Sequence, residues 1–484
     1  MSNRRTTSIG LVTAVLWTLL ISGGVRAEAE QSADPRPNIL LITSDDQTVR
    51  DMRVMSNLRR LVTDQGTSFA NSFAPFPLCC PDQASILTGQ YAHNHGVLGN
   101  GGGAFPVGGY DALDGSSSLA TWLQDAGYQT SFVGKYLVGY GLTSPAVVPP
   151  GWTEWHGVIG GGNYYRYQLY EDGVLNSYSG TYQTDFYAQL SADIITRRAA
   201  DDAPFFLWTS YKAPHNGGPI EADDPVSNVL TTPAVADRHR DLAAGIPLPR
   251  DPSFNEADVS DKPLEVRERP SFTPDEEAAL TEINQQRWES LLALDEAVDS
   301  TVRALTATGE LDNTIIAFTS DNGYMLGEHR IPGGKGVPYE PSLRVPLSIR
   351  GPGFPAGVVR DQLVAAIDLA PTFLEAAGAT AGLVMDGISL LPLAADPAAG
   401  PDRDIVIEAG PRTVDGPMYW TGLRTARFKY VEYGETGEVE LYDLLRDPYE
   451  LRNQRANPAY AQVVAALAAD LERLRNCTGD ACRN

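Results

Sequence analysis

Four cysteines in 484 residues are too few for a disulfide-built scaffold. A chain of this length needs a core instead, and 43% hydrophobic residues supply one, enough for two or three domains. Positive charge is scarce as well. The 37 Lys and Arg residues face 61 Asp and Glu, a formal net charge of -24. No Lys/Arg run offers an extended basic groove, which argues against nucleic acid, anionic membranes and long sulfated polymers as partners. A small anion in a locally positive pocket remains compatible. Past the N-terminus there is no long apolar stretch, so no membrane span is expected in the mature form. Solenoid-type repeats are also missing.

What the N-terminus does have is the pattern of an export signal, expected over residues 1–27. Arg4 and Arg5 precede an apolar stretch from Ile9 to Ile21, and Val25-Arg26-Ala27 ends it with small residues. The stretch is too short to favour a membrane span, and the paired arginines also fit a twin-arginine route. A secreted or periplasmic location is the expectation. Cys477 and Cys482 are then expected to pair as a terminal staple. Cys79 and Cys80 are adjacent, where a disulfide would be strained, so a special role for one of them is expected.

Asn38 to Thr43 is an unbroken apolar run ending in Ser44-Asp45-Asp46, as a strand buried on both faces reads. Thr314 to Thr319 repeats the theme and ends in Ser320-Asp321-Asn322. Gln129 to Val133 and Pro204 to Thr209 are further strands. Helices are predicted over Met55 to Gln65, closed by Gly66, over Leu119 to Ala126, and over Pro274 to Thr308. Residues 216 to 275, rich in Pro, Asp and Glu, read as a long surface excursion over the site's mouth. Alternating strands and helices imply an α/β fold with a mainly parallel sheet. An Ala/Pro/Asp linker near 394–401 separates a domain over 36–395 from a smaller one over 402–484. That smaller domain is expected to have antiparallel strands (404–408, 419–425, 428–433) and a helix from Pro458 to Arg475.

Two features carry chemistry. In an open α/β sheet, ligands bind beyond the carboxyl ends of strands. The two similar strand ends would bring Asp45, Asp46, Asp321 and Asn322 together. Crowded carboxylates repel unless a cation lies between them, and oxygen donors suit Ca²⁺ or Mg²⁺. The alternative, that these are turn and cap residues, stays open at this point. The second feature is Leu78-Cys79-Cys80-Pro81-Asp82-Gln83. Asp82 is predicted as the N-cap of a helix over Gln83 to Thr88, which puts Cys79 near the helix's positive end. By spacing alone the cysteines read equally as small buried residues.

Cys79-x-Pro81-x-x-Ala84-Ser85-x-Leu87-Thr88-Gly89 resembles the sulfatase signature, Cys-x-Pro-x-Arg followed by Leu-Thr-Gly. The resemblance extends through Pro37-Asn38-Ile39, Gly134-Lys135, Ala213-Pro214-His215, Ser320-Asp321-Asn322-Gly323, Gly327-Glu328-His329, Tyr442-Asp443-Leu444 and Asp447-Pro448. His93-Asn94-His95, Gly134-Lys135-Tyr136-Leu137, Gly151-Trp152 and Tyr164-Tyr165 resemble the N-acetylglucosamine-6-sulfatase branch. The resemblance implies an alkaline-phosphatase-like fold and hydrolysis of a sulfate ester, of a sulfated sugar or a similar alcohol. It implies that Cys79 is oxidised to formylglycine by a formylglycine-generating enzyme. Its hydrate attacks sulfur, displaces the alcohol, and collapses to expel sulfate. Metal ligands map to Asp45, Asp46, Cys79 (as formylglycine), Asp321 and Asn322, holding Ca²⁺ or Mg²⁺. Sulfate-oxygen partners map to Lys135, His215 and Lys335, with His215 a candidate acid for the leaving alcohol. His93, His95 and His329 stay outside the catalytic set.

The chain departs from the signature where it has Gln83 instead of arginine, and Asp82 instead of the usual small residue. Glutamine keeps a hydrogen-bonding end but loses the charge and the forked donor. Two other readings therefore stand beside the hydrolase: a non-catalytic binder of sulfated or phosphorylated ligands, and a phosphodiester or phosphonate ester hydrolase on the same fold.

Overall fold

The computed structural model describes residues 1–3, 34–142, 146–227 and 230–483. The expected export signal, past its first three residues, lies outside them. Asp34–Asn484 forms one compact unit. Among the described residues, no helix is long and apolar enough to cross a membrane.

Fourteen strands are named in chain order: β1 (Asn38–Ser44), β2 (Gly66–Phe73), β3 (Gln129–Gly134), β4 (Glu154–Val158), β5 (Arg166–Glu171), β6 (Val174–Ser179), β7 (Phe205–Ser210), β8 (Thr314–Ser320), β9 (Leu347–Arg350), β10 (Val358–Ala365), β11 (Ile405–Ala409), β12 (Trp420–Arg424), β13 (Phe428–Tyr433) and β14 (Val439–Asp443). The first ten make one sheet in the order β10-β2-β9-β8-β1-β7-β3-β4-β5-β6. Its centre, β8-β1-β7-β3-β4, is wholly parallel. Antiparallel β9 and the β5–β6 hairpin make it mixed.

The absence of alternation in β1 has a direct cause: both faces are covered. Ile39 and Leu41 pack with Ala84, Leu87, Trp122, Phe132 and Phe373 on one side. Leu40 and Ile42 pack with Tyr187, Ile195, Leu291, Leu294 and Val298 on the other. The helices supplying these residues include α1 (Cys79–Thr88) and α2 (Leu119–Asp125) on the first face, and α3 (Gln183–Arg198) and α4 (Pro274–Thr308) on the second. The long α4 starts where its sequence says it should. Thr273 and Glu276 form a capping box, Pro274 takes the first helical position, and Gly309 closes the end in the left-handed region.

Strands β11 to β14 form a separate antiparallel sheet. Its side chains Ile405, Ile407, Val431 and Leu441 share a core with Leu467, Leu471 and Leu474 of α5 (Ala461–Leu474), and with Phe73, Phe76 and Tyr91. Cys477 and Cys482 are disulfide-bonded just beyond that helix, and Cys79 and Cys80 are free.

Two expectations need correction. The helix predicted over Met55 to Gln65 is present, α-helical over Ser56–Leu58 and π-helical over Arg59–Thr63. Gly66 does not cap it. That residue opens β2, where a Cβ would stand 2.1 Å from the Ile349 carbonyl oxygen, so glycine is required by the neighbouring strand. Residues 216 to 275 are not simply a surface excursion. Ala234, Val235, Leu248 and Val259 are buried, and Leu248 packs on Leu280 and Ile283 of α4. Buried Lys262 pairs with Glu256, which also bonds His329. Ion pairs and scattered apolar anchors hold this segment where periodicity is lacking.

Candidate active site

Four central strands end at one level. Thr43 and Ser44 of β1 lie beside Thr319 and Ser320 of β8, Thr43 lies beside Ser210 of β7, and Ser210 lies beside Gly134 of β3. The next residues along each chain are Asp45-Asp46, Asp321-Asn322, the 211–215 segment and Lys135. Backbone bonds lock them in place: Asp321 N–H donates to the Ser44 carbonyl (3.1 Å), and Lys135 N–H to the Ser210 carbonyl (2.9 Å).

Opposite them stands the N-terminus of α1. This helix begins at Cys79, with extended Leu78 before it, and not after Asp82 as expected. Pro81 fits within the first turn because its missing N–H would have no intrahelical partner there. Asn100 Oδ1 accepts from the Cys80 N–H instead (3.1 Å). Asp82 is therefore no N-cap. It is fully buried inside the first turn, and neither carboxyl oxygen has a partner.

Cys79 Sγ lies 3.6 Å from Asp45 Oδ1, 3.4 Å from Lys135 Nζ and 2.8 Å from Lys335 Nζ. Lys135 also bonds Asp45, and Lys335 bonds Asp46. Asn322 Nδ2 donates to Asp46 Oδ1 at 2.6 Å, and the Asp46 N–H reaches Asp321 Oδ1 at 3.3 Å. His215 Nε2 is 3.9 Å from Asp46 Oδ2. Ligand atoms of Asp45, Asp46, Cys79 and His215 all fall within 4.8 Å of one another. Every site residue singled out in the sequence thus converges on one point.

Comparison with known proteins gives this arrangement a family. The family model described as Sulfatase matches residues 37–379, and the one described as N-sulphoglucosamine sulphohydrolase, C-terminal, matches 327–477. The chain belongs to the sulfatase family. It is thereby a sulfuric ester hydrolase by family, on the alkaline-phosphatase-like fold. An extracellular sulfatase SULF-1 homolog of Drosophila melanogaster is 35% identical over 76% of this chain, which spans 32% of that longer protein. The N-acetylglucosamine-6-sulfatase of Capra hircus is 30% identical over 95% of this chain and 87% of its own length. A protein solved in complex with its substrate D-glucosamine-2-N,6-O-disulfate superposes with a TM-score of 0.74 and 25% identity, covering 90% of this chain and 97% of that one.

The electrostatics of the sulfatase site favour a divalent cation. Burial, then the charge of Asp45, hold the Asp321 carboxyl well above the usual carboxylate range. Burial also pushes Asp45 up, but Lys135, His215 and Lys335 together outweigh it and hold that carboxyl well below. Two neighbouring acids driven apart in this way are the mark of crowded negative charge. Asn322 Oδ1 is buried without a partner beside them. Three carboxylates and a free amide oxygen are the donor set of a hard cation. Burial, reinforced by Asp45, pushes the Cys79 thiol up, so an unmodified cysteine here is a neutral thiol.

His215 is held by its Nδ1, 2.8 Å from the Asn216 carbonyl oxygen. That contact assigns the Nδ1–H tautomer and leaves the Nε2 lone pair toward the site. Burial is the main reason its pKa falls to about 4. The other histidines have structural partners. His93 pairs with Glu408, His95 with Ser85, and His329 with Glu256.

Two contributors escaped the sequence reading. Arg287 of α4 is 2% exposed and donates to the Asp46 carbonyl and to Asp51, with its guanidinium over the Tyr324 ring. Asp46 has a φ of 68°, in the left-handed region, and Arg287 secures that conformation from below. The available signal was a charged residue four after Ile283 and four before Leu291, on the buried stripe. Lys212 is also buried. It donates to the Gly162 carbonyl (3.0 Å), and burial, then Lys135, lower its pKa to about 8.

Proposed function

We propose that this sulfatase is exported and cleaves the sulfate ester of a small sulfated sugar, with a formylglycine made from Cys79 as its nucleophile. The observation that carries the reading is the convergence of Asp45, Asp46, Asp321, Asn322, Lys135 and Lys335 around the side chain of residue 79. The names of two relatives, an N-acetylglucosamine-6-sulfatase and a protein complexed with a glucosamine disulfate, support a sugar substrate. The Cys477–Cys482 bond fits an oxidising compartment and so supports export. In sequence terms, residues 36–395 form the catalytic domain and 402–484 a C-terminal subdomain.

Asp45, Asp46, Asp321, Asn322 and the oxygen of formylglycine at 79 would hold Ca²⁺, with Mg²⁺ as the alternative, and a formylglycine-generating enzyme is the maturation partner. When bound, such an ion polarises a sulfate oxygen and favours ionisation of an attacking hydroxyl. The chain's own groups do the rest. Lys135 and Lys335 flank residue 79 on fixed backbone and neutralise charge that builds on the sulfuryl oxygens. His215 is neutral in the free site. A bound sulfate's negative charge raises the proton affinity of Nε2, which fits the imidazole to hand a proton to the leaving alcohol. The thiol of an unmodified Cys79 cannot replace a formylglycine, because a thiol adduct lacks the second hydroxyl needed to collapse.

Mass spectrometry of residue 79 in protein secreted by its native host tests the reading, together with turnover of aryl and sugar sulfates. Formylglycine with turnover is the expected result. Unmodified cysteine without turnover would overturn it. Gln83 favours one second reading, a non-catalytic binder. In that case Gln83→Arg alone would mature and turn over substrate. Parallel rates on sulfate and phosphate esters of one leaving group separate both from a phosphodiester or phosphonate hydrolase.

A further inference from the structure

Gln83 lies four residues after Cys79 on α1, so the two side chains share one face of the helix. It is 2% exposed. Its Nε2 donates to Asp321 Oδ2 at 3.2 Å, which fixes the amide against one of the site's carboxylates. Its Oε1 is buried with no hydrogen-bond partner. Asn322 Oδ1, next to Asp321 in the chain, is in the same condition. Leaving a buried amide oxygen unpaired is costly, and the two orphaned oxygens border the same cluster of negative charge.

Calcium takes about six to eight oxygen donors. Asp45, Asp46, Asp321, Asn322 and residue 79 are five residues, so there is room for one more. An arginine at position 83 would bring a positive charge to the cation's edge. A neutral amide brings a carbonyl dipole. We propose that Gln83 lends Oε1 to the divalent cation as a sixth protein ligand while Nε2 keeps its grip on Asp321. The inference rests on the cation site of the proposed function and adds to it a ligand that the signature arginine could not supply. It also gives Gln83 a use that does not depend on whether Cys79 is converted.

The test is direct binding to the full protein after removal of metal by a chelator. Calcium affinity is measured by titration. The number of water molecules on a bound Tb³⁺ probe is measured from luminescence lifetimes in H₂O and D₂O. Gln83→Leu keeps the bulk and removes the oxygen. It is expected to bind calcium about tenfold more weakly and to carry one extra Tb³⁺-bound water. Gln83→Glu keeps an oxygen and adds charge, so it should bind at least as tightly as the parent with the same water count. Unchanged affinity and water count in Gln83→Leu would overturn the ligand assignment while leaving the cation site standing. If Gln83→Leu does not fold, weaker binding by Gln83→Glu overturns it. Asp46→Asn reports on the site itself: a parent protein that binds neither ion, or an Asp46→Asn variant that binds as well as the parent, defeats the cation reading and this inference together.

Discussion

Replacing Asp82 by serine should make the protein more stable at neutral pH. The side chain is fully buried in the first turn of α1, and both carboxyl oxygens lack partners. Burial, and secondarily the charge of Asp321, raise its pKa well above the ordinary 3.8. The sign follows from linkage. Above about pH 4 the unfolded carboxyl ionises while the folded one keeps its proton, so stability falls as pH rises until the folded group also ionises. The limiting slope is about 1.4 kcal/mol per pH unit. The buried, unsatisfied group itself costs about 1–3 kcal/mol. Serine would leave a void worth about 1 kcal/mol. The net effect should be a gain of about 0–2 kcal/mol at about pH 4.5, and for as long as the folded group keeps its proton the gain should grow toward pH 7.5 by up to about 1.4 kcal/mol per pH unit. With an unfolding entropy of ~2.1 cal/mol/K per residue, each kcal/mol moves the Tm of a unit of this size by only about 1 °C. Equilibrium urea unfolding is therefore the better assay. Asp82→Asn, which keeps the shape and removes the charge, should reproduce the pH-dependent part. A variant no more stable than the parent at pH 7.5, or a gain that does not grow between the two pH values, would refute the argument.

Arg287→Met should cost about 3–5 kcal/mol, because Asp51 and the Asp46 carbonyl lose a buried charged partner; urea unfolding measures the loss, and calcium titration should show weaker binding as Asp46 loosens. His93→Gln probes a second pair. Burial pushes the imidazole down, but the charge and hydrogen bond of Glu408 win and hold its pKa at about 9. The stabilisation is complete below about pH 6.5, the usual histidine value, and is lost as pH rises through about 9, so the parent's advantage over His93→Gln should shrink across that window in pH-dependent melts. Chelation should lower Tm and added Ca²⁺ should restore it, by about 2.7 kcal/mol at a hundredfold excess over Kd; a melt insensitive to both would contradict the cation site. Lys335→Met should reduce kcat/KM by at least tenfold and also lower stability in urea unfolding, since this loop lysine is paired with buried Asp45 and Asp46.

The parts of the fold that were legible in the sequence are those whose causes are local. Uninterrupted apolar runs marked β1, β7 and β8 because a strand covered on both faces needs no polar side. The apolar spacing of Leu280, Ile283, Leu291, Leu294, Val298 and Leu305 marked α4 because a helix face repeats within a few residues. Several strands that went unseen lack such a run. Strand β6 is largely exposed, and β2 reads Gly-Thr-Ser-Phe-Ala-Asn-Ser-Phe. Their identity comes from the strand alongside, not from their own pattern.

The sequence by itself determined the chemical inventory: acidic residues after two buried strands, a cysteine ahead of Pro81, a lysine after Gly134, and a glutamine where the signature has arginine. Tertiary structure alone decided that β8, β1, β7 and β3 lie side by side and end level, which turns separate strand tips into one pocket. It also decided that α1 starts at Cys79, which strands Asp82 in the interior and turns Gln83 toward Asp321, and that Arg287 reaches beneath Asp46 from a helix more than 200 residues away. Strand order, register and burial arise from contacts between segments distant in the chain, and no local pattern encodes which distant segment will be the partner.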